Sequence, residues 1–225
     1  MDIPNKEVGV FLLERGKASI FTQLNLTGIS LQVPNDIIND MEIVSEDKLM
    51  IFIKRLLELN KTVIRGVVIV LSSDFTFENV FEEDNSEKLM EKLKAFQEIV
   101  PFENVDSKIT KQESKWKVIC TSRDLCEKLR LVFEKLNIFV LGVTSFAVIS
   151  ETISQMPHGF DPRLVMDKID AIKLSGFISQ EQENKVAEQA KKSGEKNKNL
   201  PVLAVVFGSL LLILLFLIYF NYLRK

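Results

Sequence analysis

Residues able to do chemistry are few and far apart in this chain. Among 225 residues there is one histidine, His158, and two cysteines, Cys120 and Cys126. A Ser–His–Asp or Cys–His arrangement would have to run through His158, which sits in a Pro-His-Gly loop with no nucleophile beside it. Such a histidine reads as structural or solvent-exposed. Cys120 falls at the end of a strand pattern and Cys126 one turn into the helix pattern that follows. They read as small, reduced hydrophobes of a core, because a redox pair or metal site needs partners the sequence does not supply. Glu82-Glu83-Asp84 lacks the alternating oxygen ligands and the glycine of a calcium loop. It reads as a solvated loop whose charge favours the N-terminus of the next helix. Neither a Walker-type phosphate loop nor a GxGxxG turn is present, and Gly9, Gly16 and Gly28 stand singly. No catalytic, cofactor-binding or metal residue is assigned, no cofactor is implied, and the chain is expected not to be an enzyme.

The elements that would position any such group are clearer. Val67–Leu71 is an unbroken aliphatic run, punctuated by Gly66 and Ser72–Asp74, which predicts a strand buried on both faces at the centre of a sheet. Val8–Leu13 and Ala18–Leu24 predict a hairpin turning at Arg15-Gly16, and Leu26–Val33 a third strand broken by Pro34-Asn35. Ser45 caps a helix whose apolar positions are Leu49, Phe52, Ile53, Leu56 and Leu57, ended by Asn60-Lys61. Phe75–Phe81 reads as extended and half-buried. Ser86 caps a helix over Glu87–Val100 that Pro101 stops. Strands near Val105–Thr110 and Lys115–Thr121 form an antiparallel pair, the second turning Trp116, Val118 and Cys120 to one face and Lys115, Lys117 and Ile119 to the other. Ser122 caps a third helix that ends at Asn137, Ile138–Val143 is the next strand, and Ser145–Met156 is helical. A last helix opens at Asp161-Pro162 and runs to about Leu174, with Gly176 past its end. The class is α/β (α+β).

Composition bounds the function. Charged residues make up 27% and the net charge is −2, so no basic field argues for nucleic acid. The start, MDIPNKEVGV, is not a signal peptide pattern. Residues 1–178 form the expected cytosolic domain, and 179–199 a polar linker in which aliphatics nearly vanish. Leu200–Phe220 is almost wholly apolar, and at about 1.5 Å per helical residue it spans roughly a 30 Å hydrocarbon core. The transmembrane helix is placed at 200–221, with Tyr219 and Tyr222 at the far interface and 222–225 as a short tail. Lys191, Lys192, Lys196 and Lys198 precede it, and only Arg224 and Lys225 follow. That bias predicts a single-pass, tail-anchored protein of the cell inner membrane with its N-terminal domain in the cytoplasm.

Three stretches carry a family resemblance. VPNDIINDMEIVSEDKLMIFIKRLL resembles the proline-led stretch, short strand and helix of PilM-type actin-like proteins. RGVVIVLSSDFTF resembles their central strand, and KLKAFQEIVPFENVDSKI their helix ending in an Ile-Pro-Phe-like corner. RDLCEKLRLVFEKLNIFVLGVTSFAVIS is similar to their following helix, strand and helix. The match spans about Val8–Ile153, an architecture shared with the cytosolic part of GspL and with FtsA. It implies a truncated actin-like (ribonuclease H-like) half-domain with a small inserted strand–helix–strand–strand (SHS2-like) subdomain. Actin-like ATPases carry an Asp-x-Gly phosphate loop on the first hairpin, whereas this chain has Leu13-Glu14-Arg15-Gly16 there. The second half of such a protein is replaced here by one helix, the linker and the span.

The resemblance implies a non-catalytic, membrane-tethered scaffold subunit of a type IV pilus-like or related secretion machine. Its partners are other pilus or secretion assembly proteins and, through the C-terminal helix, the membrane; an oligomer is compatible with this. The alternatives are a tail-anchored adaptor unrelated to pili and a degenerate nucleotide hydrolase. Removing Leu200–Lys225 is expected to release a soluble, folded domain, since 179–199 holds few core residues. Precipitation of the truncated chain, with the full chain well behaved in detergent, would place the boundary elsewhere.

Overall fold

A strand made only of aliphatic residues needs an apolar layer on each face, and the architecture supplies both. The structure, a computed structural model, describes residues 7–61, 63–82, 86–112, 115–152 and 160–177. The predicted linker, span and tail, and His158, lie outside the described residues. Among the described residues no helix is long and apolar enough to cross a membrane.

The described residues give strands β1 (Val8–Glu14), β2 (Lys17–Thr22) and β3 (Asn25–Gln32), a short hairpin β4 (Ile38–Asn39) and β5 (Glu42–Ile43), then helix α1 (Glu46–Asn60). Strand β6 (Gly66–Leu71) follows, then a 3-10 turn at Ser73–Phe75, β7 (Thr76–Glu82), α2 (Ser86–Ile99), β8 (Val105–Gln112) and β9 (Lys115–Ser122). The remaining elements are α3 (Arg123–Lys135), β10 (Phe139–Ser145), α4 (Phe146–Thr152), α5 (Pro162–Asp167) and α6 (Ile169–Ser175). The main sheet has the order β10-β6-β1-β2-β3, with β1, β6 and β10 parallel and β2 antiparallel to its neighbours. The α/β class expected from the sequence is observed. β6 is internal as expected, but the middle strand of the five is β1.

Alternation sorts the side chains of β6. Val67, Ile69 and Leu71 pack with α1 (Leu49, Phe52, Ile53, Leu56) and α3 (Leu125, Leu129, Val132, Phe133). Val68 and Val70 pack with Val165 and Met166 of α5 and Ile169 and Ile172 of α6. The result is three layers, helices over a sheet over helices. Local signals start and stop them. Ser45 Oγ accepts from Lys48 N at 3.4 Å, Ser122 Oγ from Leu125 N at 3.2 Å, and Asp161 Oδ1 from Arg163 N at 2.9 Å. Lys61 (φ 54°) and Asn137 (φ 60°) take the left-handed conformation where α1 and α3 end.

A second sheet, β7-β9-β8, carries α2 on one face, where Leu89, Leu93 and Phe96 meet Val118 and Cys120. This is the expected strand–helix–strand–strand unit. Three local readings are corrected. Ser86 is the first residue of α2 and not the residue before it. Ile119, assigned to the open face of β9, is fully buried against Ala147, Val148 and Phe177, because α4 and the end of the described chain cover that part of the face. The last helix is two, since Lys168 (φ −113°, ψ 22°) leaves the helical region; nothing local in the sequence marks the break.

Val68→Asp or Val70→Asp would bury an unpaired carboxylate under α5 and α6. Each is expected to cost about 4 kcal/mol or more and leave the domain unfolded at 25 °C. Circular dichroism melting reads this, and a cooperative wild-type-like transition in either variant would contradict the second helical layer.

Candidate functional site

The first hairpin is where the family resemblance puts phosphate recognition. Its two-residue turn is forced tight by the Glu14–Lys17 pair, and Gly16 (φ 71°) supplies the left-handed backbone that closes it. The chain then passes β3 so that Val33 N donates to Gly16 O at 2.9 Å, fixing the turn against the loop at Pro34. On the other side, Ser72 N donates to Leu13 O at 2.9 Å, which brings the end of β6 alongside. The 3-10 turn after β6 then aims Asp74 back at the hairpin. Asp74 Oδ2 accepts from the backbone N of Arg15 at 3.2 Å and from Ser72 Oγ at 2.9 Å.

These segments and the β4–β5 hairpin enclose a cleft of about 500 Å³. Asp40 (φ 46°) and Met41 (φ 67°) form the tip of the β4–β5 hairpin, both left-handed and neither glycine. A backbone of that kind costs about 1 kcal/mol at a residue such as methionine, offset here by packing of Ile38 and Met41 onto the main core. Among the described residues, the acidic groups lining the cleft are Glu14, Asp40 and Asp74, and the one cation is Arg15. Glu14 is paired with Lys17 at 3.0 Å. Thr76 lines the cleft, and its buried hydroxyl has no hydrogen-bond partner among the described residues. Sequence reasoning missed both Asp74 and the short hairpin. The signals available were Ser-Ser-Asp directly after a buried strand, and the turn formers Asn39-Asp40.

No protein-family model matches the chain, and no curated protein matches it. Solved structures are similar to it. One is a PilM-PilN type IV pilus biogenesis complex, 14% identical, with a TM-score of 0.49 over 67% of this chain and 51% of that one. Another is the cytoplasmic domain of EpsL, an inner membrane component of the type II secretion system of Vibrio cholerae; it is 16% identical, with a TM-score of 0.41 over 68% and 59%. A third is a Bacteroides thetaiotaomicron protein of actin-like ATPase fold and unknown function, 12% identical, with a TM-score of 0.32 over 68% and 59%. The chain spans between 51% and 59% of the length of these structures. They come from the same kinds of protein that the sequence resemblance named.

The other candidate residues are not brought together. Cys120 lies under α2 with Leu89 and Leu93, whereas Cys126 is on the buried face of α3, in the main core. Burial pushes the Cys120 thiol from an ordinary 9.0 up to about 11, and pushes Cys126 up as well, with Asp106 adding to the effect. Both are free. Glu82 ends β7 and pairs with Lys115 at 2.6 Å; that hydrogen bond holds its carboxyl below the usual range. Glu83 and Asp84 lie outside the described residues. Among the described residues, no group of three or more histidine, cysteine or acidic side chains could hold a metal ion.

The thiols give a stability prediction with a definite sign. Each folded pKa lies above its unfolded value, so their contribution is fully present below about pH 9. It is lost as pH rises, through about 11 for Cys120 and beyond for Cys126. Between pH 8 and 10.5, Cys126 is expected to account for about 2 kcal/mol of lost stability. Urea denaturation of the wild type and Cys126→Ala at both pH values measures the difference. Equal losses in the two proteins would mean the thiol ionises in the folded state.

Proposed function

We propose that this chain is a non-catalytic scaffold subunit of a type IV pilus-like or related secretion machine. It is tethered to the inner membrane through 200–221, with its N-terminal domain in the cytoplasm. The fold is read as an actin-like, ribonuclease H-like half with an inserted strand–helix–strand–strand subdomain. The order of the main sheet, with β2 alone reversed, and the β7-α2-β8-β9 insertion support that reading. The tether is supported by the apolar run after the polar linker, and the orientation by the lysines before it.

One observation carries the non-catalytic part: the Asp74 carboxylate on the Arg15 amide. A phosphate held by this hairpin would need that N–H as a donor, and a positive or neutral setting. Here the donor already serves a carboxylate. A phosphate oxygen brought to about 4 Å from it meets a repulsion of about 1 kcal/mol per charge pair in water, and about 4 at the surface of a protein cleft. A triphosphate multiplies that figure, and among the described residues Arg15 is the one cation on the cleft wall to set against it.

The expected result is a flat calorimetric titration of the detergent-solubilised chain with Mg-ATP up to millimolar concentration. Micromolar affinity would replace the scaffold reading with that of a degenerate hydrolase. Cross-linking to pilus or secretion assembly proteins, encoded beside this chain's gene, separates the scaffold from an adaptor unrelated to pili.

A further inference from the structure

We propose that the outer edge of β8 is a docking strand for a second copy of this chain, which lays its own β8 antiparallel across it, centred on Ser107. β8 is an edge strand: it is bonded to β9 on one side and, among the described residues, to no strand on the other. Arg123 N donates to Asn104 O at 2.9 Å, one step beyond the Val105–Ser122 pair, so Asn104 and every second residue after it, as far as Gln112, point their backbone groups at β9. Val105, Ser107, Ile109 and Lys111 therefore direct their N–H and C=O groups outward. The Val105 carbonyl is met at 3.5 Å by the Arg123 guanidinium and keeps a second lone pair.

The sequence along this edge is complementary to itself. Val105-Asp106-Ser107-Lys108-Ile109 reads apolar, acid, small, base, apolar. Antiparallel pairing centred on Ser107 sets Val105 opposite Ile109, Asp106 opposite Lys108 and Ser107 opposite its own copy, each contact made twice by symmetry. Continuing the register brings exposed Lys111 opposite exposed Glu103. Neighbouring registers lose this. Centring on Lys108 faces two ammonium groups and sets Val105 against Lys111, and centring on Ile109 pairs no charges.

The surroundings of the edge fit the same occupant. Ile109 is 43% exposed and Met90 on α2 is 62% exposed, beside an apolar groove of about 700 Å³ between α2 and β8. A second β8 with its own α2 would cover that groove from the strand side. Lys108 is half-buried and has no salt bridge among the described residues; burial lowers its pKa, with Asp106 only partly opposing that. The Asp106 of a second copy would give it a close counter-charge. Asp106 itself holds Arg123 at 2.8 Å, which leaves carboxylate lone pairs for Lys108 of the second copy.

The test is disulfide trapping of the full chain in detergent. Opposed residues of a backbone-bonded pair sit about 5.5 Å apart at Cα, within disulfide reach. Ser107→Cys is expected to give a covalent dimer under mild diamide oxidation, at least tenfold faster than Thr110→Cys, which in this register faces Asn104. Cys120 and Cys126 are buried and do not compete. Adding Lys108→Asp to Ser107→Cys sets carboxylate against carboxylate twice, and is expected to slow trapping about tenfold or more. Circular dichroism confirms that each variant is folded. Trapping at position 107 no faster than at 110, or undiminished by Lys108→Asp in a folded variant, overturns the proposal.

Discussion

Burial of β6 on both faces is the constraint from which the rest of the domain follows. Its backbone is satisfied by β1 on one side and β10 on the other, so its side chains can only point into the two layers above and below. One layer comes from α1 and α3, whose apolar stripes are regular and strongly capped. The other comes from α5 and α6, two short helices from the end of the described chain. The sheet is therefore not complete as a packed unit until about Phe177, whose backbone N donates to Val143 O at 2.7 Å.

What could be read from the sequence was whatever a local rule enforces. Ser45 and Ser122 could be assigned as caps because a hydroxyl before an apolar periodic run has few other uses. Asn137 could be placed in the left-handed region because asparagine tolerates it after a helix. What stayed hidden depended on distant residues. The β4 and β5 strands are two residues each, too short for any periodicity to show. Ile119 looked like one apolar residue on a lysine-bearing face, and became core only because α4 and Phe177 arrive there from far along the chain. Asp74 is 59 residues from the amide it binds, a separation no sequence pattern spans.

The candidate site shows the same division. The absence of an aspartate from the first hairpin could be read directly from Leu13-Glu14-Arg15-Gly16. That an aspartate nonetheless reaches this turn, from the strand beside it and with its charge directed at the amide, could be seen only with β1 and β6 side by side. The two aspartates would differ in consequence although they are the same residue type. One would hold a metal ion over bound phosphate; this one occupies a donor such a phosphate would need.

The junction between the two sheets has a mechanical consequence. Ser122 is at once the last residue of β9 and the N-cap of α3, so no loop residue separates the small sheet from the helix on which the main sheet rests. The other crossing, from β6 to β7, is taken up by a 3-10 turn whose Phe75 is buried and whose carbonyl accepts from Thr121 Oγ1 at 2.9 Å. A hinge needs a few residues free to change φ and ψ, and neither crossing offers them. A pull on the small sheet would therefore act directly on α3 and on the 3-10 turn, with no loop between to take it up.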